Sequence, residues 1–253
     1  MRIIDFHTHL DRHWLGQPLP TAEAMVAAMD RFDVEASCVF TVMGFYGNCE
    51  SHNEALVTET DRYPDRLIPF ATVDPKDGPA AAEELEQRLS DARFRGVKLH
   101  PWLQAFAPSM LKETMTGLLR VAARHDAPVI FHDGTPPYCT TFQVAEVARW
   151  VPEATIILGH AGLADYVDAA AQLIRDVPNL YACFCGPRGG DLLHLVATGG
   201  ADKVLFGSDF GAATWELLAE RIDDVVEAGL TAAEAEQVFY GNAARLLQRR
   251  GGC

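Results

Sequence analysis

No stretch of the sequence approaches the roughly 18–20 consecutive apolar residues that a membrane-spanning helix requires, so no membrane partner is expected. The opening MRIIDFHTHL lacks the apolar centre of a secretory signal, because one arginine is followed by an aspartate and two histidines. The cytoplasm is therefore the expected compartment. Positive charge is scarce as well: 21 Lys and Arg stand against 35 Asp and Glu, giving a formal net charge of −14 with no basic stretch to offset it. That balance argues against nucleic acid as a partner, although a local basic pocket can still hold a small anion. Cysteine is too sparse for a disulfide-stapled fold. Cys38, Cys49, Cys139, Cys183, Cys185 and Cys253 are scattered through 253 residues and read as mostly free thiols. Cys183-x-Cys185 is the one close pair, and it lacks the second pair that would make a zinc signal strong. No Gly-x-Gly-x-x-Gly follows the first strand candidate, which counts against a dinucleotide-binding sheet. With no linker, low-complexity tract or short repeat, residues 1–253 are expected to form a single domain.

What is present is an alternation. The chain is 49% hydrophobic and 22% charged, the balance of a globular protein with a sizeable core. Short runs rich in Val, Ile, Leu and Phe predict strands at 2–6, 35–41, 66–73, 96–99, 128–131, 155–158, 179–184 and 203–206. Runs of this kind suit parallel strands buried on both faces. Amphipathic segments between them predict helices at 21–32, 78–90, 108–125, 141–150 and 163–176. A further helix opens near Thr214 and runs to 228, and the last covers 231–249, with Thr231 and Glu234 in capping-box spacing. Repeated βαβ units follow, and both a closed barrel and an open doubly wound sheet satisfy them.

The chemistry-bearing residues stand at strand ends. Side chains alternate along a strand, so Ile3, Asp5, His7 and His9 are expected on one face, pointing inward, with Ile4, Phe6 and Thr8 on the other. Lys98 and His100 share a face of the fourth strand. The fifth ends in His132, the sixth in His160 and the eighth in Asp209, with Gly207 leaving room beneath it. Five of nine histidines thus fall where a parallel barrel would gather them at one mouth. Imidazole nitrogens and a carboxylate oxygen crowded together are good ligands for zinc and similar ions.

In these segments the chain resembles the amidohydrolase superfamily, and especially its amidohydrolase-related branch of metal-dependent hydrolases and nonoxidative decarboxylases. The matching stretches are Asp5-Phe-His-Thr-His9, Gly96-Val-Lys-Leu-His-Pro101, Ile130-Phe-His132, Leu158-Gly-His-Ala-Gly162, Leu205-Phe-Gly-Ser-Asp209 and Tyr240-Gly-Asn-Ala-Ala-Arg-Leu246. They occur in the expected order over almost the whole chain. The resemblance implies a distorted (β/α)8 TIM barrel. It implies His7, His9, His132 and Asp209 as ligands of one divalent metal ion, with Zn2+ the expected ion. It makes His160 the group that orients the attacking water, or else ligates a second metal. Lys98 is left between a bridging role, as a carboxylated lysine joining two metals, and a substrate contact.

An ion in such a site makes bound water acidic enough to ionise near neutral pH. Asp209 then takes the proton and passes it to the leaving group, His160 hydrogen-bonds the nucleophile or the polarised carbonyl, and Asp5 supports the ligands from behind. Arg188, in Gly186-Pro-Arg-Gly-Gly190, is a candidate clasp for a substrate carboxylate, and His100 and Trp102 are candidate substrate contacts. Trp14 is a second candidate pocket wall. His13, His52, His125 and His194 are expected to be structural or exposed, and Asn242 to cap the last helical segment. The leading expectation is hydrolysis of an amide, ester or lactone bond in a small molecule. The alternative is metal-dependent decarboxylation of an aromatic or unsaturated acid, and the least favoured is a metal-containing binding scaffold. Self-association is open to the chain.

Overall fold

Runs of three to seven apolar residues supply eight parallel strands, each too short to be anything but a stave of a larger sheet. In the computed structural model, which describes residues 1–211 and 215–248, these are β1 (Ile3–His9), β2 (Val34–Phe40), β3 (Leu67–Ala71) and β4 (Gly96–Leu99). They continue with β5 (Val129–Phe131), β6 (Ile156–Leu158), β7 (Leu180–Phe184) and β8 (Val204–Phe206). Each pairs in parallel with the next in sequence, and helices fill the connections. The barrel nearly closes where the chain beyond β8 meets β1: Asp209 N donates to His7 O at 2.8 Å and His9 N to Phe210 O at 2.7 Å. This is the distorted TIM barrel expected. Among the described residues, no helix is long and apolar enough to cross a membrane.

Two apolar clusters divide the interior. The larger lies between strands and helices; the smaller fills the barrel and includes Ile4, Phe6, Phe40, Phe70, Ile130, Ile157 and Leu205. Phe70 packs edge-on against Phe6 at 5.6 Å and Phe40 at 5.4 Å between centroids. Gly96 is required beside it, since a Cβ there would sit 2.3 Å from the Phe70 ring. Burying each such ring contributes about 1.5–3 kcal/mol, and the trio makes a dry floor for whatever lies above.

The strict alternation expected along β1 does not hold. Ile3 faces the helix side while Ile4 and Phe6 face the barrel interior, yet His7 and His9 also pack on the interior ring of Phe40. Irregular register between Asp5 and Thr8 reconciles the two, because a bulge lets consecutive residues Phe6 and His7 point inward. Asp5 is thereby turned to the seam, where its Oδ1 accepts from His7 N and Ser208 N, both at 3.1 Å. Its Oδ2 accepts from Ser208 Oγ at 2.5 Å.

Helices form where the periodicity indicated, as at Thr141–Trp150 and Val167–Asp176. Thr214, expected near a helix start, lies outside the described residues, and the helix runs Trp215–Glu227. The final stretch begins with the capping box at Thr231 and Glu234 but is interrupted by a π turn at Gln237–Gly241, and its expected end at Arg249 and the thiol of Cys253 lie outside the described residues. Asn242 does not cap that segment. Its Nδ2 donates to Ala201 O and Val204 O, both at 2.7 Å, and ties the helix to the start of β8. Helices at Cys49–Thr60 and Leu192–Gly199 carry weak or uniform patterning and were not expected.

The seam carries a testable consequence. Asp5→Ala strips two buried backbone N–H groups of their acceptor, each worth roughly 1–3 kcal/mol, so a loss of about 2–6 kcal/mol is expected in denaturant unfolding. Burial pushes the Asp5 carboxyl up to about 7 against its three hydrogen bonds. Between the unfolded value near 3.8 and that folded value, the unfolded chain has released a proton that the folded chain keeps, so this group's contribution falls as pH rises. The stability gap between wild type and Asp5→Ala, measured with chelator present, should therefore narrow from pH 4 to pH 7. A gap that widens over that range would contradict this account.

Candidate metal centre

Four of the strand-end groups named from sequence converge at the carboxyl end of the barrel. Asp209 Oδ1 lies 3.2 Å from His9 Nε2 and 3.5 Å from His7 Nε2. One ligand atom each from His7, His9 and Asp209 falls within 4.8 Å of the others. His160 stands beside them, its ring 4.6 Å from His7. His132, the expected fourth ligand, shares the cluster but not the tight set: its ring is 4.3 Å from His160 and lies parallel to His100 at 3.9 Å.

The local backbone explains the convergence. Gly207 permits the close approach, because a Cβ there would lie 2.4 Å from Cys183 Sγ and 2.9 Å from His7 Cβ. Asp209 adopts φ 61°, a left-handed turn that aspartate tolerates better than most residues, and it swings the carboxylate back over the mouth. His7 Nδ1 sits 2.9 Å from Gly159 O. A carbonyl only accepts, so Nδ1 carries the ring proton and Nε2 keeps its lone pair for a ligand. Lys98, fully buried, places Nζ 3.1 Å from that same Nε2.

Burial governs the protonation states. It holds the His7, His100 and His132 imidazoles well below their ordinary value, and His160 at about 3. Each is neutral at physiological pH, the form that binds metal. Burial also opposes ionisation of Asp209, but the hydrogen bond from His9 and the adjacent imidazoles outweigh it and keep the carboxylate charged. Lys98 is lowered by burial to about 8, so its ammonium is only weakly held.

The residues fit a divalent ion. The set contains two imidazoles and one carboxylate, and the buried nitrogens His9 Nδ1 and His132 Nε2 have no hydrogen-bond partner. Nitrogen and oxygen donors of this kind are those zinc takes.

Other positions divide. Trp102 is half exposed, with its ring 6.3 Å from both His100 and His132, and walls the mouth. His100 is held by Gln104, whose Oε1 accepts from His100 N at 2.7 Å. Arg188 is exposed, and its backbone N–H donates to Asp191. Trp14 Nε1 donates to Tyr46 Oη at 3.3 Å. His125 and His194 pair with Glu86 and Asp168, away from the mouth.

Three groups were not foreseen. Arg221, on the helix after β8, is mostly buried, donates to Pro187 O at 2.7 Å, and its charge acts on His160. Asp133 follows His132 and accepts from His160 N at 2.7 Å and Gly162 N at 2.8 Å. Cys185 puts its sulfur 3.1 Å from His160 Nδ1. Adjacency to His132, and a cysteine two past Cys183 at the end of β7, were the available signals; Arg221 offered none.

A family model described as amidohydrolase matches residues 4–249. No curated protein matches the sequence significantly. Among solved structures, an uncharacterized TIM-barrel protein from Bordetella bronchiseptica superposes with TM-score 0.77 at 17% identity, covering 100% of both chains. A 2,6-dihydroxybenzoate decarboxylase from Rhizobium gives 0.74 at 18% identity, covering 98% of each chain. The 4-oxalomesaconate hydratase from Rhodopseudomonas palustris gives 0.73 at 16% identity, covering 98% of this chain and 96% of that one. At these identities the likeness speaks to the fold.

The geometry ranks the ligands. His7→Ala or His9→Ala should abolish binding of a divalent ion, whereas His132→Ala, outside the tight set, should retain a weakened site. Elemental analysis after dialysis, with circular dichroism to confirm folding, checks the order. Equal and complete loss in all three would place His132 on the same footing as the others.

Proposed function

The chain belongs to the amidohydrolase family, and from that premise we propose that it is a hydrolase dependent on one divalent ion, zinc, that cleaves an amide, ester or lactone bond in a small molecule. The observation carrying this reading is the double position of Asp209. Its Oδ1 reaches both ligand histidines, while the side chain remains 28% exposed to the mouth.

His7, His9 and Asp209 would hold the ion, with His132 completing the set. When bound, the ion supplies Lewis acidity and brings the ionisation of water down from about 15.7 toward 7. Asp209, kept anionic, accepts the proton from the attacking water at its mouth-facing carboxylate oxygen and returns it to the leaving group. His160, neutral and adjacent, aligns that water. Asp5 and Asp133 keep the backbones of His7 and His160 from drifting. The dry floor of Phe6, Phe40 and Phe70 strengthens each of these interactions by excluding water from below. Lys98 enters this scheme as an unmodified ammonium, and its 3.1 Å contact with His7 Nε2 is the one a bound ion would displace.

A second reading is favoured by one feature. Trp102 stands half exposed beside the parallel rings of His100 and His132, a surface suited to a planar acid. The solved relatives include a decarboxylase of 2,6-dihydroxybenzoate. Nonoxidative decarboxylation of an aromatic or unsaturated acid would use the same ion and the same Asp209, with the proton delivered to carbon.

Zinc-loaded protein should release acid from members of a panel of small amides, esters and lactones, and no carbon dioxide from aromatic acids. Asp209→Asn should keep part of the metal yet lose nearly all turnover. His160→Ala should keep the metal and slow by about 10²–10⁴. Metal content and rate must come from the same preparations. Carbon dioxide release without hydrolysis of any panel member would replace the first reading with the second, and full activity in Asp209→Asn would remove both.

A further inference from the structure

Cys185 Sγ touches three polar atoms at the base of the site: Gly159 O at 2.9 Å, His160 Nδ1 at 3.1 Å and His7 Nδ1 at 3.3 Å. Cys185, His7 and His160 are a group of metal-ligand type, since one ligand atom from each lies within 4.8 Å of the others. They do not form a second cation site, because His7 Nδ1 already donates its proton to Gly159 O at 2.9 Å and has no lone pair to give.

The single thiol proton can be placed by elimination. Gly159 O only accepts, so a bare sulfur at 2.9 Å from it would be repelled, whereas an S–H pointing at it is attracted. The sulfur therefore presents lone pairs to its other neighbours. His160 Nδ1, at 3.1 Å, meets one of them and makes an attractive contact only if that nitrogen carries a proton. A neutral imidazole protonated at Nδ1 is bare at Nε2. The packing holds this register: a Cβ on Gly186 would fall 2.7 Å from His160 O and 2.9 Å from His160 Cβ, and one on Gly207 would fall 3.2 Å from Cys185 Cβ.

We propose that Cys185 is a positioning residue that fixes His160 in the Nδ1–H tautomer, so that His160 Nε2 faces the mouth as a hydrogen-bond acceptor. The proposal deepens the reading of His160 as the group that aligns water. It restricts that role, since an acceptor at Nε2 orients the hydrogen of a water molecule and cannot donate to a substrate carbonyl. The chain Gly159 O, Cys185 S–H, His160 Nδ1–H runs in one direction, and Gly159 O serves both His160, through sulfur, and His7 directly. One backbone carbonyl thus sets the tautomers of a ligand histidine and of the water-aligning histidine together.

The test reads the tautomer and not the reaction, so it stands apart from the hydrolase reading. Zinc-loaded protein carrying 15N-labelled histidine gives separate signals for the protonated and bare nitrogens of each neutral ring, and His160 is assigned by its disappearance in His160→Gln. The expected result in wild type is a protonated Nδ1 and a bare Nε2 for His160. Cys185→Ser, which keeps a donor and an acceptor, should retain that pattern, and Cys185→Ala should lose it, with metal content unchanged. A proton found on Nε2 in wild type overturns the proposal, and this measurement needs no variant that alters the buried sulfur. An unchanged pattern in folded Cys185→Ala overturns it equally, because the thiol would then not be what selects the tautomer.

Discussion

Asp209 donates its backbone N–H to His7 O while its side chain reaches the Nε2 atoms of His7 and His9, so one residue joins the ends of the barrel and completes a group of metal-ligand type. The two roles cannot be separated. A barrel open at this seam would leave the histidines of β1 and the carboxylate after β8 on opposite edges of a sheet, too far apart to share an ion. Closure is reinforced by Asp5, which accepts from both sides of the seam through His7 N and Ser208 N. The cost of keeping a carboxylate in this dry place is visible in its raised pKa, and the bonds it makes are what offset that cost.

Above the seam the site is a cluster of imidazole rings around the Asp209 carboxylate and the Lys98 ammonium. Lys98 reaches the lone pair of His7 Nε2 at 3.1 Å, the same lone pair that a metal ion held by this group would need. Burial has brought the Lys98 pKa down to about 8, so the proton on its ammonium is easily given up. Lys98 Nζ also lies over the Phe40 ring, 5.1 Å from its centroid.

Much of this was legible in the sequence because barrel strands announce themselves as short apolar runs and because chemistry collects at their carboxyl ends. All eight strands fell within a few residues of their expected places, and Asp5, His7, His9, Lys98, His132, His160 and Asp209 stood out by position, with their roles implied by the family resemblance. What failed did so for identifiable reasons. Alternation along β1 assumed a regular strand, and the bulge between Asp5 and Thr8 cannot be read from residue types. Cys185 looked like half of an absent zinc motif, since sequence shows its spacing to Cys183 but not the 3.1 Å to a histidine on the neighbouring strand. Arg221 sits in the middle of an amphipathic helix, where an inward-leaning arginine is indistinguishable from a solvated one. The ranking of His132 below His7 and His9 is a matter of ångströms that no spacing encodes.

The buried aspartates point to a common solution to a problem at strand ends. Past the last ladder bond, backbone N–H groups lose their partners just where the chain must bend to aim a side chain at the mouth. Asp133 takes His160 N and Gly162 N after β6, and Asp5 takes Ser208 N after β8. With those donors satisfied, the chain can adopt conformations that side chains otherwise resist: Ala161 and Leu163 at φ 46° and 53°, and Asp209 at 61°. Strain of this sort costs of order 1–3 kcal/mol per residue, and it persists because the carboxylates over-determine the turns that contain it. The two strand ends so braced are those that present His160 and Asp209, the two groups proposed to align water and move its proton. Accuracy in the site therefore rests on carboxylates that never face the mouth, and a change at Asp133 would reach the chemistry through the backbone of His160 without altering a single ligand.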